Sequence, residues 1–139
     1  MISMKEILKG KDLNSQSEEV KKNLNVLLEK INKIRALYNK PMTITNGLRT
    51  MDDNIRIYKE KAAKAGIPFD LSKVPTKNAH LSGSACDVSD SNKELQKWCK
   101  NNEKELEKIG LWMEDFNSTP NWCHFQIYPP KSGNRWFKP

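Results

Sequence analysis

A chain of 139 residues is long enough for one well-packed domain and too short for two, so residues 1–139 are expected to form a single domain. An apolar content of 37% without low-complexity tracts excludes a disordered chain, and apolar runs of only a few residues exclude a membrane span. A net charge of +7 favours polyanionic partners, but the lysines alternate with Glu and Asp as on solvated helix faces.

The N-terminus, "MISMKEILKGKDLN", has no apolar stretch followed by small residues, so no secretory signal is expected. An odd number of cysteines, three, fits a reducing compartment better than a disulfide framework. "SEEVKKNLNVLLEKINKIRALYNKP" is the clearest helix: Val20, Leu24, Leu27, Leu28, Ile31, Ile34 and Leu37 recur on one face. Ser15 and Glu18 stand in capping-box register at its start, and Pro41 stops it. "MTITNGLRT" reads as a short strand with a turn signal at Asn46-Gly47.

Thr50 and Asp53 form a second cap pair opening a helix that Gly66 and Pro68 end, and residues 67–79 read as a loop. Ser91 and Glu94 make a third capping box before the helix "NKELQKWCKNNEKELEKIG", with Leu95, Trp98, Cys99 and Leu106 inward. "LWMED" and "NWCHFQIY" read as strands joined by the turn-rich "FNSTP", and "PPKSGNRWFKP" as an extended tail. The expected fold class is α+β: several helices on a small antiparallel sheet near the C-terminal end.

The chemistry centres on the two histidines. A lone histidine on a strand is more often a packed or surface residue than a ligand, so the joint pattern matters. A hydrolytic zinc site takes three N/O protein ligands and leaves a fourth position open. His80, Asp87 and His124 are such a set, and in "NAHLSGSACDVSD" the small residues Ser82, Gly83, Ser84 and Ala85 let His80 and Asp87 converge. The plainer alternative makes Asp87 a turn residue that His80 merely flanks. Cys86 and Cys123 adjoin these positions; strand alternation turns them away, into the core, if Asp87 and His124 face a metal. Trp98 reads as a helix core residue, while Trp112, Trp122 and Trp136 either pack the sheet or border a groove.

"NAHLSGSACD" followed late by "WCH" resembles the zinc D-Ala-D-Ala carboxypeptidases and the related phage L-alanyl-D-glutamate endolysins, whose zinc core is shared with lysostaphin-type peptidases and the hedgehog domain. Their pattern is S-x-H-x-x-G-x-A-x-D with a later W-x-H; upstream, "NGLRT" matches S-G-[YF]-R-[ST] at Gly47, Arg49 and Thr50, with Asn54 following. The likeness covers about residues 20–139. It implies a metallopeptidase acting on peptidoglycan stem peptides, with zinc on His80, Asp87 and His124 and with Arg49 contacting the substrate and stabilising the oxyanion. The residues alone leave Arg49 equally suited to a salt bridge with Asp52 or Asp53.

Asn121 departs from the pattern, standing where much of the family carries the general base; an amide cannot accept that proton. Pairing of "LWMED" with "NWCHFQIY" puts Glu114 roughly opposite Cys123 or His124, and alternation sends either Glu114 or Asp115 to the metal side. Glu114 is favoured for its reach, with Asp115 left to solvent or the turn. Asn78, Asn46 and Leu48 also depart from the pattern and bear on substrate choice.

The leading expectation is a zinc peptidase and phage-type endolysin, either endopeptidase or D,D-carboxypeptidase, monomeric, held in the host cytoplasm until released to the wall. The alternative is a non-catalytic, zinc-stabilised binding or virion-structural module. A nucleic-acid partner is not expected, because no helix concentrates Arg with aromatics.

Overall fold

A computed structural model describes residues Met1–Pro139. Five helices, α1 (Met4–Leu8), α2 (Glu18–Tyr38), α3 (Met51–Ala65), α4 (Glu94–Asn101) and α5 (Glu103–Ile109), accompany five strands. The strands are β1 (Ile44–Asn46), β2 (Ala85–Ser89), β3 (Trp112–Glu114), β4 (Trp122–Gln126) and β5 (Trp136–Phe137). They form one sheet in the order β1-β2-β4-β3-β5, antiparallel except where β5 runs parallel to β3. The α+β class follows directly, and no helix is long and apolar enough to cross a membrane.

Helix α2 forms because its apolar positions fall on one stripe, and Leu24, Leu27, Ile31 and Ile34 are fully buried. They join Cys86, Val88, Cys123, Phe125 and Met113 in one hydrophobic cluster of 20 residues. Those strand residues share one face of the sheet, so alternation sends Asp87, His124 and Glu114 to the other. One face builds the core and the opposite face is left for chemistry.

Several local expectations are corrected. Ser17, not Ser15, caps α2 by accepting from Val20 N, because Ser15 is taken up in a 3-10 turn, Leu13–Ser15. The capping box at Ser91 and Glu94 does not form. Lys93 sits in the left-handed region at φ 62°, and the Asp90 carboxylate accepts from Leu95 N at 2.9 Å and Gln96 N at 2.8 Å instead. The long helix expected over residues 92–110 breaks in two at Asn102, whose side-chain amide donates to Trp98 O at 2.8 Å and competes with helix propagation. The sheet is not confined to the C-terminal end, since β1 and β2 supply two strands. The supposed extended tail gains β5, fastened by Met113 N to Arg135 O and Asp115 N to Phe137 O. The Thr50–Asp53 capping box and the Gly66 helix stop form as expected.

Two features of the fold position the site. Gly83, at φ 74°, reverses the chain between His80 and β2; a Cβ there would lie 3.0 Å from Leu24 Cγ. Gly47 has a different reason for being glycine. The N-terminal segment, unassigned from sequence, docks α1 so closely on the β1–α3 connection that a Cβ at Gly47 would sit 1.9 Å from Ile7 O. Leu48 N donates to that same carbonyl at 2.9 Å, which locks the contact. Gly47→Ala should therefore destabilise the protein by about 1–3 kcal/mol as α1 is forced away. Thermal denaturation reads this loss, and an unchanged midpoint would show that α1 contributes nothing to the fold.

Candidate metal centre

Strand β2 pairs with β4 so that Asp87 lies directly opposite His124, and the turn at Gly83 brings His80 over the same face. One ligand atom from each of His80, Asp87 and His124 falls within 4.8 Å of the others, and all three residues are buried. Asp87 Oδ1 stands 2.9 Å from His124 Nδ1 and 3.4 Å from His80 Nε2.

The outer nitrogens of both rings are committed elsewhere. His80 Nδ1 lies 2.9 Å from Gly47 O, a carbonyl that can only accept, so Nδ1 carries the proton and Nε2 keeps its lone pair toward Asp87. His124 Nε2 lies 2.8 Å from Gln126 Oε1, while Gln126 Nε2 donates to Tyr128 O at 2.8 Å. That second bond fixes which end of the amide faces the ring, so Nε2 is the donor there, and Nδ1, 2.9 Å from Asp87 Oδ1, is the nitrogen left to face a metal. Two inner imidazole nitrogens and a carboxylate oxygen thus converge, with outer partners of the kind that orient metal-binding histidines. The donor set fits a tetrahedral zinc with one position left open.

The electrostatics agree with a site built to hold positive charge. Burial alone would push Asp87 up, but its hydrogen bonds with His124 and His80 and their charges hold it well below the usual carboxylate range. Burial pulls His124 down, yet the hydrogen bond with Asp87 and the charge of Glu114 raise it overall.

Strand β3 places Glu114 beside this set. Its register, Trp112 opposite Gln126 and Met113 opposite Phe125, continues to Glu114 opposite His124, with Glu114 Oε1 3.8 Å from His124 Nδ1. Burial raises the pKa of Glu114, and the charge of Asp87 adds to the rise against the pull of His124, His80 and Arg49. Asp115 faces the other way and organises the turn, accepting from Asn117 N and Ser118 N at 3.0 Å each. Asn121 is exposed and offers its carbonyl to Asp90 N, so it takes no part in the site.

Arg49 makes no ion pair with Asp52 or Asp53. Asp53 is instead shared by Lys11 at 3.0 Å, Arg56 at 3.7 Å and its own helix cap. Arg49 N donates to His80 O at 3.1 Å, and its Nε is buried without a partner. Asn78, in place of the pattern's Ser, accepts from Leu81 N at 2.8 Å and so shapes the His80 turn. Leu48 is buried in the core rather than available to a groove. Asn54 donates to Pro75 O at 3.1 Å and anchors the end of the 67–79 loop.

All three cysteines are buried and free, and burial pushes each thiol up, which keeps them protonated core residues. Trp98 packs edge-on against Tyr38 at 5.7 Å, and Trp136 against Phe116 at 5.2 Å. Trp112 and Trp122 share the face of Glu114 and His124 by strand alternation.

Gln126 is the residue that sequence reasoning passed over. Its position two after His124 on a strand, hence on the same face, was the available signal. Gln126→Leu should weaken zinc binding by about 10–100-fold, as expected when an outer partner of a ligating histidine is lost. Competition against a chelating dye measures it, and an unaltered dissociation constant would show that the ring needs no such partner.

The site and sheet together define a small α+β domain with a buried His–Asp–His ligand set and an adjacent carboxylate. No protein-family model and no curated protein matches the chain. Among solved structures it is similar to the crystal structure of the Serratia marcescens L-Ala D-Glu endopeptidase ChiX. Identity is 19% and the TM-score 0.45, covering 88% of this chain and 100% of that one. The chemistry of the site rests on its own atoms.

Proposed function

We propose that this chain is a zinc peptidase that hydrolyses peptidoglycan stem peptides. The observation that carries it is the convergence of His80, Asp87 and His124 within 4.8 Å, with the Glu114 carboxylate 3.8 Å from His124 Nδ1. The sequence patterns around His80 and His124 support the wall-peptide substrate.

His80 Nε2, Asp87 and His124 Nδ1 would hold a zinc ion, which would supply Lewis-acid activation to the scissile carbonyl and the attacking water. Glu114, 3.8 Å from His124 Nδ1, is placed to take the proton of that water and pass it to the leaving amine. Arg49, free of any carboxylate partner, offers its guanidinium to the oxygen on which negative charge develops. Asp87 faces both imidazoles, 2.9 Å from His124 Nδ1 and 3.4 Å from His80 Nε2, and so completes the set that would hold the metal.

The reading extends to a phage-type endolysin that is stored in the host cytoplasm and acts as a monomer once it reaches the wall. The +7 charge favours adsorption to anionic wall polymers, so lysis should weaken as salt rises. A zymogram on purified peptidoglycan, with and without a chelator, tests the activity. Clearing that the chelator abolishes and zinc restores is the expected result; no clearing with zinc present favours the non-catalytic, zinc-stabilised module. Mass spectrometry of the digest separates endopeptidase from D,D-carboxypeptidase cleavage.

A further inference from the structure

The segment that follows α3 turns apolar side chains outward. Gly66 ends the helix in the left-handed region, and Ile67-Pro68-Phe69-Asp70 leads into a 3-10 turn, Leu71–Lys73. Ile67 is 61% exposed and Leu71 60%, and no other segment leaves two large apolar residues in solvent. Ile67 borders an open cleft of about 290 Å³ walled by Tyr58, Ala62, Ala65, Pro68 and Phe69, and Leu71 lies between two further wall residues, Asp70 and Lys73. Single exposed apolar residues need no explanation, whereas a contiguous patch marks a contact surface. The rim of this patch is cationic. Lys61 and Lys73 line the cleft, Lys59 Nζ stands 5.4 Å from the Phe69 ring centre, and Lys61 Nζ stands 4.9 Å from that of Tyr58. None of these three lysines forms an ion pair, because the neighbouring acids are engaged elsewhere. Glu60 pairs with Arg56 at 3.5 Å, and Asp70 accepts from Ser72 N at 3.0 Å and Ser72 Oγ at 2.6 Å.

We propose that this patch binds the surface of an anionic lipid bilayer. Ile67, Phe69 and Leu71 enter the boundary beneath the headgroups, while Lys59, Lys61 and Lys73 meet lipid phosphates. A hydrated anionic polymer would engage the lysines alone and leave the apolar side chains in water; a bilayer engages both. A protein partner fits less well, because lysine is depleted at protein–protein contacts, whereas its long stem suits an apolar surface beneath a charged plane. Binding here goes beyond the peptidase reading and does not depend on it. The chain joining Leu71 to His80 reaches about 30 Å at most, and Asn54 ties it to α3 at Pro75 O. Attachment at the patch would therefore keep the metal centre close to the bilayer.

Co-sedimentation of the full chain with lipid vesicles in about 0.15 M salt tests the proposal. Phosphatidylcholine vesicles containing phosphatidylglycerol should retain the protein at least about tenfold better than phosphatidylcholine alone. Lys61→Gln with Lys73→Gln should weaken that retention about fivefold per charge. Lys97→Gln with Lys104→Gln, exposed on α4 and α5, should leave it within about twofold, because screening confines the attraction to charges near the membrane. Ile67→Ser with Leu71→Ser should weaken it by about tenfold or more, since their apolar surface no longer leaves water. Both residues are exposed, so the core is untouched by the change.

No retention on the anionic vesicles overturns the proposal and leaves the patch to a protein partner. Equal losses from the two lysine pairs overturn it as well, since the attraction would then belong to the net charge and not to this surface. Retention indifferent to the two serine substitutions is the behaviour of a polyanion site and overturns it too. Loss of peptide hydrolysis has no bearing on these measurements, so the two readings stand or fall separately.

Discussion

Glu114→Gln is expected to lower the rate of peptide hydrolysis by about 10²–10⁴-fold, the usual contribution of a positioned general base. Glutamine keeps the size and the hydrogen-bonding reach of Glu114 but cannot accept a proton. Its neighbour His124 keeps Nδ1 toward Asp87, held by Gln126 on the far side. Zinc affinity and thermal stability should therefore change little, so the loss falls on kcat. Asp115→Asn is the matched comparison: it weakens acceptors for Asn117 N and Ser118 N and should cost roughly 1 kcal/mol of stability with activity largely kept. Steady-state kinetics on both variants, with denaturation curves, separate the roles. The assignment falls if Glu114→Gln keeps its activity or Asp115→Asn loses it.

The second large effect concerns the metal itself. At a free zinc concentration 100-fold above its dissociation constant, binding to the folded state alone stabilises it by about 2.7 kcal/mol. For a domain of this size that is roughly 8 °C in the unfolding midpoint. Metal-free protein should melt lower by that interval, and zinc should restore it. Asp87→Ala should erase the increment, because it leaves two buried imidazoles without the carboxylate between them. It also removes hydrogen bonds from the metal-free fold, so the informative quantity is the difference with and without zinc. A zinc-dependent rise that survives Asp87→Ala would place the metal elsewhere.

Much of this arrangement was legible in the chain. The apolar stripe of α2, the Thr50–Asp53 cap and the alternation of Cys86/Asp87 and Cys123/His124 are local periodicities, and local periodicity survives folding because side-chain direction depends on a few neighbouring dihedrals. The choice of Glu114 over Asp115 was harder, since a one-residue slip of β3 would exchange them. The misplaced caps at Ser15 and Ser91 have a shared cause. A capping box is a four-residue pattern, and both serines fit it, but Ser17 and Asp90 had the backbone geometry to reach the exposed amides.

The sequence by itself determined the candidate groups: two imidazoles and a carboxylate able to serve as ligands, acids on a strand near the last of them, and cysteines next to Asp87 and His124 that alternation turns the other way. Only the tertiary structure decided how they are held. The Gly47 carbonyl on His80, the Gln126 amide on His124 and the N-terminal helix against Gly47 are contacts between segments distant in the chain or dependent on side-chain direction. Strand spacing puts Gln126 on the face of His124, but no spacing rule encodes the other two, because they depend on how β1 and β2 line up across the sheet and on what packs over its edge. That alignment gives the Asp53 carboxylate to Lys11 and Arg56 and leaves Arg49 Nε without a partner.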